Sequence, residues 1–574
     1  MGTDSMIDAK KYDFDAIVVG SGISGGWAAK ELAEKGLKVL VLERGKDLQH
    51  GTGYLGEHAP DWKLPHQGKK PRELYEKEYP VQSRVEHSFN EATRHFWNND
   101  KQNPYAQDEG KPFMWARADV VGGRSLVWGR QTYRFSEQDF KANATDGHGI
   151  PWPVEYDDIA PWYSYVEKFA GINGKAEGLP QLPDSEFQKP MPWFALENTI
   201  KSRLEKKAPD VTLTNGRVAI LTEDLPGRSA CHYCGPCPRG CSTGSYFSSQ
   251  SSTLPAAKAT GNLTLKANAL VERLEYDTNS GTVSQVHVID TQTKERHAYS
   301  ARVVFLCAST VGSTQILMNS TSEAFPNGLA NRSGVLGRYM MDHTLGMSGM
   351  GIFLDNMDSY YHGNRPTGLY IPRFRNVGGP DEDADFVRGY GFQTATLRMD
   401  WQTNINHKGF GAGLKETLRK PGPWIFALMG FTECLPQESN RMYLSQRKVD
   451  RFGIPQVAFD FEWSSNEVNL RKDAAKHANR ILKAAGAVLS MPADGEKMSE
   501  PGEGIHEMGT ARMGNDPAQS VLNKYNQAHD VPNLFVTDGS FMTSASCVNP
   551  SLTYMAFTAR ACDYAVKQMA EGKI

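Results

Sequence analysis

The sequence predicts an α/β chain that opens on a Rossmann-like dinucleotide-binding unit and turns to α+β in its middle. Three observations carry this. The run "YDFDAIVVGSGISGGWAAKELAEKGLKVLVLERG" near the N-terminus reads as strand, glycine-rich turn, helix and second strand. The length, 574 residues, exceeds the roughly 250 to 300 at which one hydrophobic core stops growing, so two domains are needed. Partial period-two alternation in "YGFQTATLRMD" (390 to 400) and "IFALMGFTECLP" (425 to 436) suits an antiparallel sheet with one face turned to a cavity.

In the N-terminal unit the first strand is centred on Ala16 to Val19, the turn carries Gly20, Gly22 and Gly25, Gly36 stops the helix, and the second strand ends in Glu43. The glycines permit a tight turn and let backbone N–H groups approach a pyrophosphate at the helix start. A carboxylate at the end of the second strand can hold ribose hydroxyls, and Glu43 lies 18 residues past Gly25, near the separation this needs. The spacing alone leaves NAD and FAD both open.

Lys+Arg (63) nearly balances Asp+Glu (66), a formal net charge of -3. No nucleic acid or polyanionic partner is expected, and small neutral or weakly charged ligands fit better. The first residues show no basic segment followed by an apolar one, and no run approaches about 18 apolar residues. The expectation is a soluble chain with no membrane span and no export signal of its own, cytoplasmic by default and periplasmic if a partner carries the signal. Met6 breaks the myristoylation pattern that Gly2 begins.

Toward the C-terminus, Leu552, Met555, Ala559, Cys562, Val566 and Met569 alternate three and four apart, one face of a helix. Pro550 suits its first turn, Asn549 its cap and Gly572 its stop, which predicts a helix beginning directly at Asn549.

The segments "GIHEMGTARMG" (504 to 514) and "NLFVTDGSFMTSASCVNPSLTYMAFTARACDYAVKQMAEG" (533 to 572) accompany "LERG", "VVGGRSLVWGR" (120 to 130), "CASTVGSTQIL" (307 to 317) and "GRYMMDH" (337 to 343). Together they resemble the glucose–methanol–choline family of FAD-dependent alcohol oxidoreductases, and within it the pyranose oxidase and bacterial sugar dehydrogenase branch. The resemblance implies a discontinuous FAD-binding domain, residues 12–150, 225–330 and 500–574, interleaved with a substrate domain, 151–224 and 331–499, built on an antiparallel sheet. It also implies roles. His506, in the H-x-x-G-T pattern, takes the alcohol proton and Asn549 shares the hydroxyl. Asp538 contacts the flavin side of FAD, and the helix start at Asn549 and Pro550 sets its positive end against the flavin. Gly122 and Gly123 bring backbone close to the ring system, and Val271, on a strand read in "NALVERLEYD", offers backbone to adenine. Gln393 reads equally as a substrate hydroxyl binder or as an outward strand residue. An imidazole and a carboxamide suit the two tasks, removing a proton as hydride leaves carbon and fixing the oxygen. Pyranose oxidases carry a flavin-linked histidine where this chain has Val127, so noncovalent FAD is expected.

The stretch "CHYCGPCPRGC" places Cys231, Cys234, Cys237 and Cys241, half of the eight cysteines, at the spacing C-x2-C-x2-C-x3-C. Loops this short gain little from disulfides, and zinc draws its thiolates from two separated knuckles. The run matches the spacing of bacterial ferredoxins best. An iron–sulfur cluster is expected, [4Fe–4S] if Cys241 completes it and [3Fe–4S] if Cys241 is spare, and a purely structural loop is the alternative. By resemblance, several bacterial sugar dehydrogenases pass electrons from FAD through such a cluster to a cytochrome c partner. No C-x-x-C-H occurs here, so any haem, with a possible small subunit, belongs to another chain.

The combined reading is an FAD-dependent dehydrogenase that oxidises a secondary hydroxyl of a sugar or glycoside to a ketone. Carbon 3 of a glucoside is the first choice, carbon 2 of a pyranose or gluconate the next. The alternatives are an oxidase that returns electrons to O2, a non-redox flavin lyase of the same fold, and a redox sensor in which His506 and Asn549 are incidental.

Overall fold

The computed structural model describes residues 12–108, 110–359, 363–399, 409–419 and 421–574. Gly2, Met6 and Asp400, which figure in the sequence reading, lie outside the described residues.

The N-terminal unit forms as predicted. Strand Phe14–Val19 leads through the glycine turn into helix Ile23–Glu34 and strand Val39–Leu42, with Glu43 directly after it. Gly36, at φ 86°, takes the left-handed conformation that turns the chain out of the helix. Phe14–Val19 is the middle strand of a five-stranded parallel sheet, in the order Leu534–Val536, Ala301–Leu306, Phe14–Val19, Val39–Leu42, Leu263–Lys266. Ala16, Ile17 and Val18 are fully buried, because a parallel sheet is covered on both faces. Helix Ile23–Glu34 packs there against the C-terminal helix, through Ala28, Ala29 and Leu32 on one side and Ala561, Cys562 and Ala565 on the other.

The start of that C-terminal helix departs from expectation. It runs Ser551–Ala570 with Pro550 at its cap position and no side-chain cap. Asn549 precedes it, and its carboxamide is engaged by Gln393 and His506 instead of by helix N–H groups. The anticipated apolar face is present: Leu552, Met555, Ala559 and Cys562 are fully buried.

A second sheet, of six strands, runs in the order Leu489–Pro492, Thr344–Phe353, Trp424–Thr432, Tyr390–Arg398, Leu369–Ile371, Thr214–Asn215, with antiparallel pairing throughout. Gln393 stands opposite Met429. Side chains alternate between faces along a strand. Phe392, Phe426 and Leu428 pack with Leu470, Ala478 and Leu482 of helix Ser465–Ala485. Gln393, Met429 and Phe431 look the other way, into a cavity. The carboxyl ends of the parallel strands open into the same cavity, through Gly20, Glu43 and Ala308. Among the described residues no helix is long and apolar enough to cross a membrane.

Candidate active site

The cavity has a volume of about 800 Å³. At one end the three glycines of the first turn do three different things. Gly20 sits at φ 96°, where a Cβ would lie 2.5 Å from the Cys307 carbonyl oxygen. A Cβ at Gly25 would lie 1.9 Å from the Gly20 carbonyl oxygen, so this glycine lets the helix rest on the turn. At Gly22 a Cβ would meet nothing within 4 Å, because the position faces the cavity. Helix Ile23–Glu34 has neither a side-chain cap nor an acidic residue in its first turn. Its free N–H groups and the positive end of its dipole are left for an anion.

Glu43 is buried on the cavity wall, where one carboxylate oxygen accepts the Ser21 N–H at 3.1 Å and its hydroxyl at 2.6 Å, and the other accepts the Gly45 N–H at 2.7 Å. Burial raises its pKa and these hydrogen bonds oppose the rise. The Ala269 N–H donates to the Glu43 carbonyl at 2.8 Å, which brings Val271 onto the same wall. Gly123, at φ 52°, faces the cavity, whereas Gly122 is set behind it, donating its N–H to the Ser21 hydroxyl at 2.8 Å. Asp538 and Pro550 line the cavity too. The Asp538 carboxylate accepts the hydroxyls of Ser313 and Ser540. The open space at Gly22, the uncapped helix start and the carboxylate at the strand end fit the pyrophosphate and ribose of FAD. Val127 also lies on the wall, and its isopropyl group offers no nucleophile to a flavin.

At the other end, Asp342 holds the loop that carries His506: its carboxylate accepts the Gly504 N–H at 3.1 Å and the His506 N–H at 3.0 Å. Burial, reinforced by the nearby Glu507, pushes Asp342 up to about 7. The His506 Nε2 stands 3.2 Å from the Asn549 amide nitrogen, and the Asn549 carbonyl oxygen accepts from the Gln393 amide at 2.6 Å. Three residues separated by 43 and 156 positions therefore meet on one wall of the cavity. Gln393 faces inward, which decides between the two orientations the sequence leaves open. Burial, with His343, Arg124 and His87 nearby, holds the His506 imidazole well below the usual histidine range, so its neutral form prevails at neutral pH.

Three further residues of the site carry no assigned role in the sequence reading. His343 lies 2.9 Å from His506, nitrogen to nitrogen, and is the last residue of "GRYMMDH". Arg124 pairs with Glu507 at 2.7 Å and lines the cavity from within "VVGGRSLVWGR". His87 lines the cavity close enough to depress His506, and no sequence pattern marks it.

The cysteine loop gives the opposite outcome. Among the described residues no three or more His, Cys, Asp or Glu side chains are grouped to hold a metal ion, so Cys231, Cys234, Cys237 and Cys241 do not form the expected ligand set in this arrangement. Left-handed backbone at Tyr233, Gly235 and Gly240 turns the chain between successive thiols. The Cys231 and Cys241 sulfurs accept the N–H groups of Tyr233 and Tyr246, at 3.4 and 3.5 Å. Cys234 is exposed, and Cys237 lines the cavity, where burial pushes its thiol up to about 12.

A dinucleotide turn, an inward-facing antiparallel sheet and a histidine–carboxamide pair around one cavity suit an oxidoreductase with a dinucleotide cofactor, and the family match makes it an FAD-dependent one acting on CH–OH groups. The GMC oxidoreductase family matches residues 14–345 with its N-terminal part and 436–558 with its C-terminal part, and the chain belongs to this family. The chain is 29% identical over 568 residues to a 2-methyl-1,2-propanediol dehydrogenase of Mycolicibacterium austroafricanum, covering 97% of this chain and 96% of that one. It is 25% identical to the fructose dehydrogenase large subunit of Gluconobacter japonicus, covering 97% and 98%. Among solved structures, pyridoxine 4-oxidase from Mesorbium loti shares the fold with a TM-score of 0.57 at 16% identity, over 96% of this chain and 99% of that one.

Proposed function

We propose that the protein is a dehydrogenase in which His506 acts as general base toward a substrate hydroxyl that Asn549 and Gln393 orient. The observation that carries this is the meeting of His506 Nε2, Asn549 and Gln393 on the wall of the cavity whose far end is the glycine turn. Bound FAD supplies the hydride acceptor. The chain's own contribution is to hold a neutral imidazole beside the alcohol oxygen, to fix that oxygen with a carboxamide N–H, and to exclude water with Phe431, Met429 and Leu345. Noncovalent retention of FAD is supported by Val127, whose side chain on the cavity wall has no nucleophile. Residues 12–150, 225–330 and 500–574 serve the cofactor in this reading, and 151–224 and 331–499 the substrate.

The substrate is a secondary hydroxyl of a sugar or glycoside, carbon 3 of a glucoside first. Support comes from the amide groups of Gln393 and Asn549, which can bind hydroxyls, and from the relative named for fructose. A second reading, a small vicinal diol, is favoured by the apolar character of Phe431, Met429 and Leu345 and by the relative named for 2-methyl-1,2-propanediol. Anaerobic bleaching of the flavin against glycosides and small diols separates the two. Bleaching by neither class, with FAD bound, would contradict both.

Electrons leave to an acceptor other than O2, and rapid aerobic peroxide formation would overturn this. The spacing of the four cysteines supports an iron–sulfur exit, and so do the buried Arg130 and Arg228 guanidinium groups, held by backbone carbonyls and near enough to Cys241 to favour a negative charge there. A further subunit as electron acceptor is supported by the relative named as a large subunit.

A further inference from the structure

The hydrogen bonds around His506 can be given directions from the one end where there is no choice. His343 Nε2 lies 2.8 Å from the carbonyl oxygen of Ser546, and a carbonyl oxygen only accepts. His343 therefore carries its proton on Nε2. That carbonyl is firmly placed: the Ser546 N–H donates to Glu433 at 3.1 Å and its hydroxyl to Asp139 at 2.9 Å. The His343 ring is fully buried, so it stays neutral and its Nδ1 is a lone pair. This lone pair faces His506 Nδ1 at 2.9 Å, and two lone pairs cannot share that distance, so His506 carries its proton on Nδ1. His506 Nε2 is then the unprotonated nitrogen. Its lone pair accepts the Asn549 N–H at 3.2 Å, a contact that a substrate hydroxyl has to take over, and Asn549 in turn accepts the Gln393 N–H at 2.6 Å.

We propose that His343 is a positioning residue that locks His506 in the Nδ1–H tautomer, so that its basic Nε2 always faces the cavity. The four bonds form one directed chain, from Gln393 through Asn549, His506 and His343 to the Ser546 carbonyl. When Nε2 takes the substrate proton, His506 becomes an imidazolium whose Nδ1–H still donates to His343. The bond strengthens as charge develops, and no proton has to leave the site in that step. With His343 absent, only the Asn549 N–H still favours this tautomer, and the other becomes accessible, with a proton on Nε2 and no base toward the alcohol. The titratable and charged groups near the pair are Arg124, His87, Asp342 and Glu507, and they are the same whether or not His343 is present.

The inference rests on the reading of His506 as the base, and two measurements separate them. In holoenzyme labelled with [15N]histidine, long-range 15N–1H correlation is expected to show His506 protonated at Nδ1 and His343 at Nε2, the two assigned by their loss in His506→Ala and His343→Asn. His343→Leu should slow anaerobic flavin reduction about a hundredfold or more, as wrong-tautomer variants of other imidazole bases do, and should alter the pH profile with FAD still bound. His343→Asn, whose side-chain oxygen can accept from His506 Nδ1, should stay within about tenfold of wild type. Protonation of His506 at Nε2 in the unmodified enzyme would overturn the inference whatever the variants do. So would a His343→Leu enzyme with wild-type rate and profile while His506→Ala is inactive. If His506→Ala itself reduces normally, it is the base reading that fails.

Discussion

His343 and His506 lie 163 residues apart and their ring nitrogens meet at 2.9 Å. Cys231, Cys234, Cys237 and Cys241 fall within eleven residues and are not grouped as a metal site. The two regions differ in what holds the side chains. Each histidine is fixed by elements that are themselves locked: Asp342 clamps the loop of His506, and Glu433 and Asp139 clamp Ser546 behind His343. The cysteines ride one loop whose turns follow its own glycines and left-handed residues, so nearness in sequence does not become convergence in space. The contact between the two histidines is thus built into the fold, whereas geometry for metal binding would have to be induced by the metal.

The sharpest way to break this contrast is at the histidine. His506→Ala should lower the rate of anaerobic flavin reduction by roughly 10²- to 10⁴-fold, the range of general-base assistance, with FAD content unchanged. Stopped-flow absorbance checks both. A wild-type rate would remove the base from the account.

Next in size is Asn549→Ala. It removes one orienting donor and frees Gln393, and a loss of up to about tenfold in the same reduction rate is expected. A loss as large as that of His506→Ala would mean that the carboxamide also fixes the start of the C-terminal helix, and far-UV circular dichroism would show it.

At the cysteine loop, Cys234→Ser should leave flavin reduction by substrate unaltered, because the Cys234 thiol is exposed and apart from the His506 chain. Iron and labile sulfide, assayed after anaerobic purification from iron-replete cells, should be present and should fall in this variant if the loop closes around a cluster. Stoichiometric zinc or no metal would make the loop structural. The smallest expected effect is at Val127: acid denaturation should release all FAD, and flavin fluorescence staying on the polypeptide in a denaturing gel would point to another attachment residue, with His87 on the cavity wall the first to replace.

The legible parts of this protein are those in which residue order and spatial order coincide. Gly20, Gly22, Gly25 and Glu43 belong to one local unit, so their spacing predicts turn, helix start and carboxylate together. The apolar face of the C-terminal helix is legible for the same reason. Its cap is not, because Asn549 is drawn away by Gln393, a residue 156 positions earlier that no helix rule contains. Gly122, expected close to the ring system, takes left-handed backbone but stands behind the cavity wall, where a Cβ would lie 2.8 Å from the Gln250 side chain. His343 and His87 carry no local sign of a site role, because His343 reaches His506, and His87 the cavity wall, only once distant segments have packed together.

The central claim is that a neutral His506, held with its lone pair toward the cavity, takes the substrate proton. The most direct test is the limiting rate of anaerobic flavin reduction as pH is raised from acid through neutrality, for wild type and His506→Ala side by side. The His506 pKa is depressed, so the active neutral form accumulates above it. The wild-type rate should rise through one ionisation below the usual histidine pKa, and that ionisation should be missing from the variant, while any change near pH 7 common to both belongs to Asp342. A wild-type rate without the acid limb, or a variant that retains it, would contradict the claim.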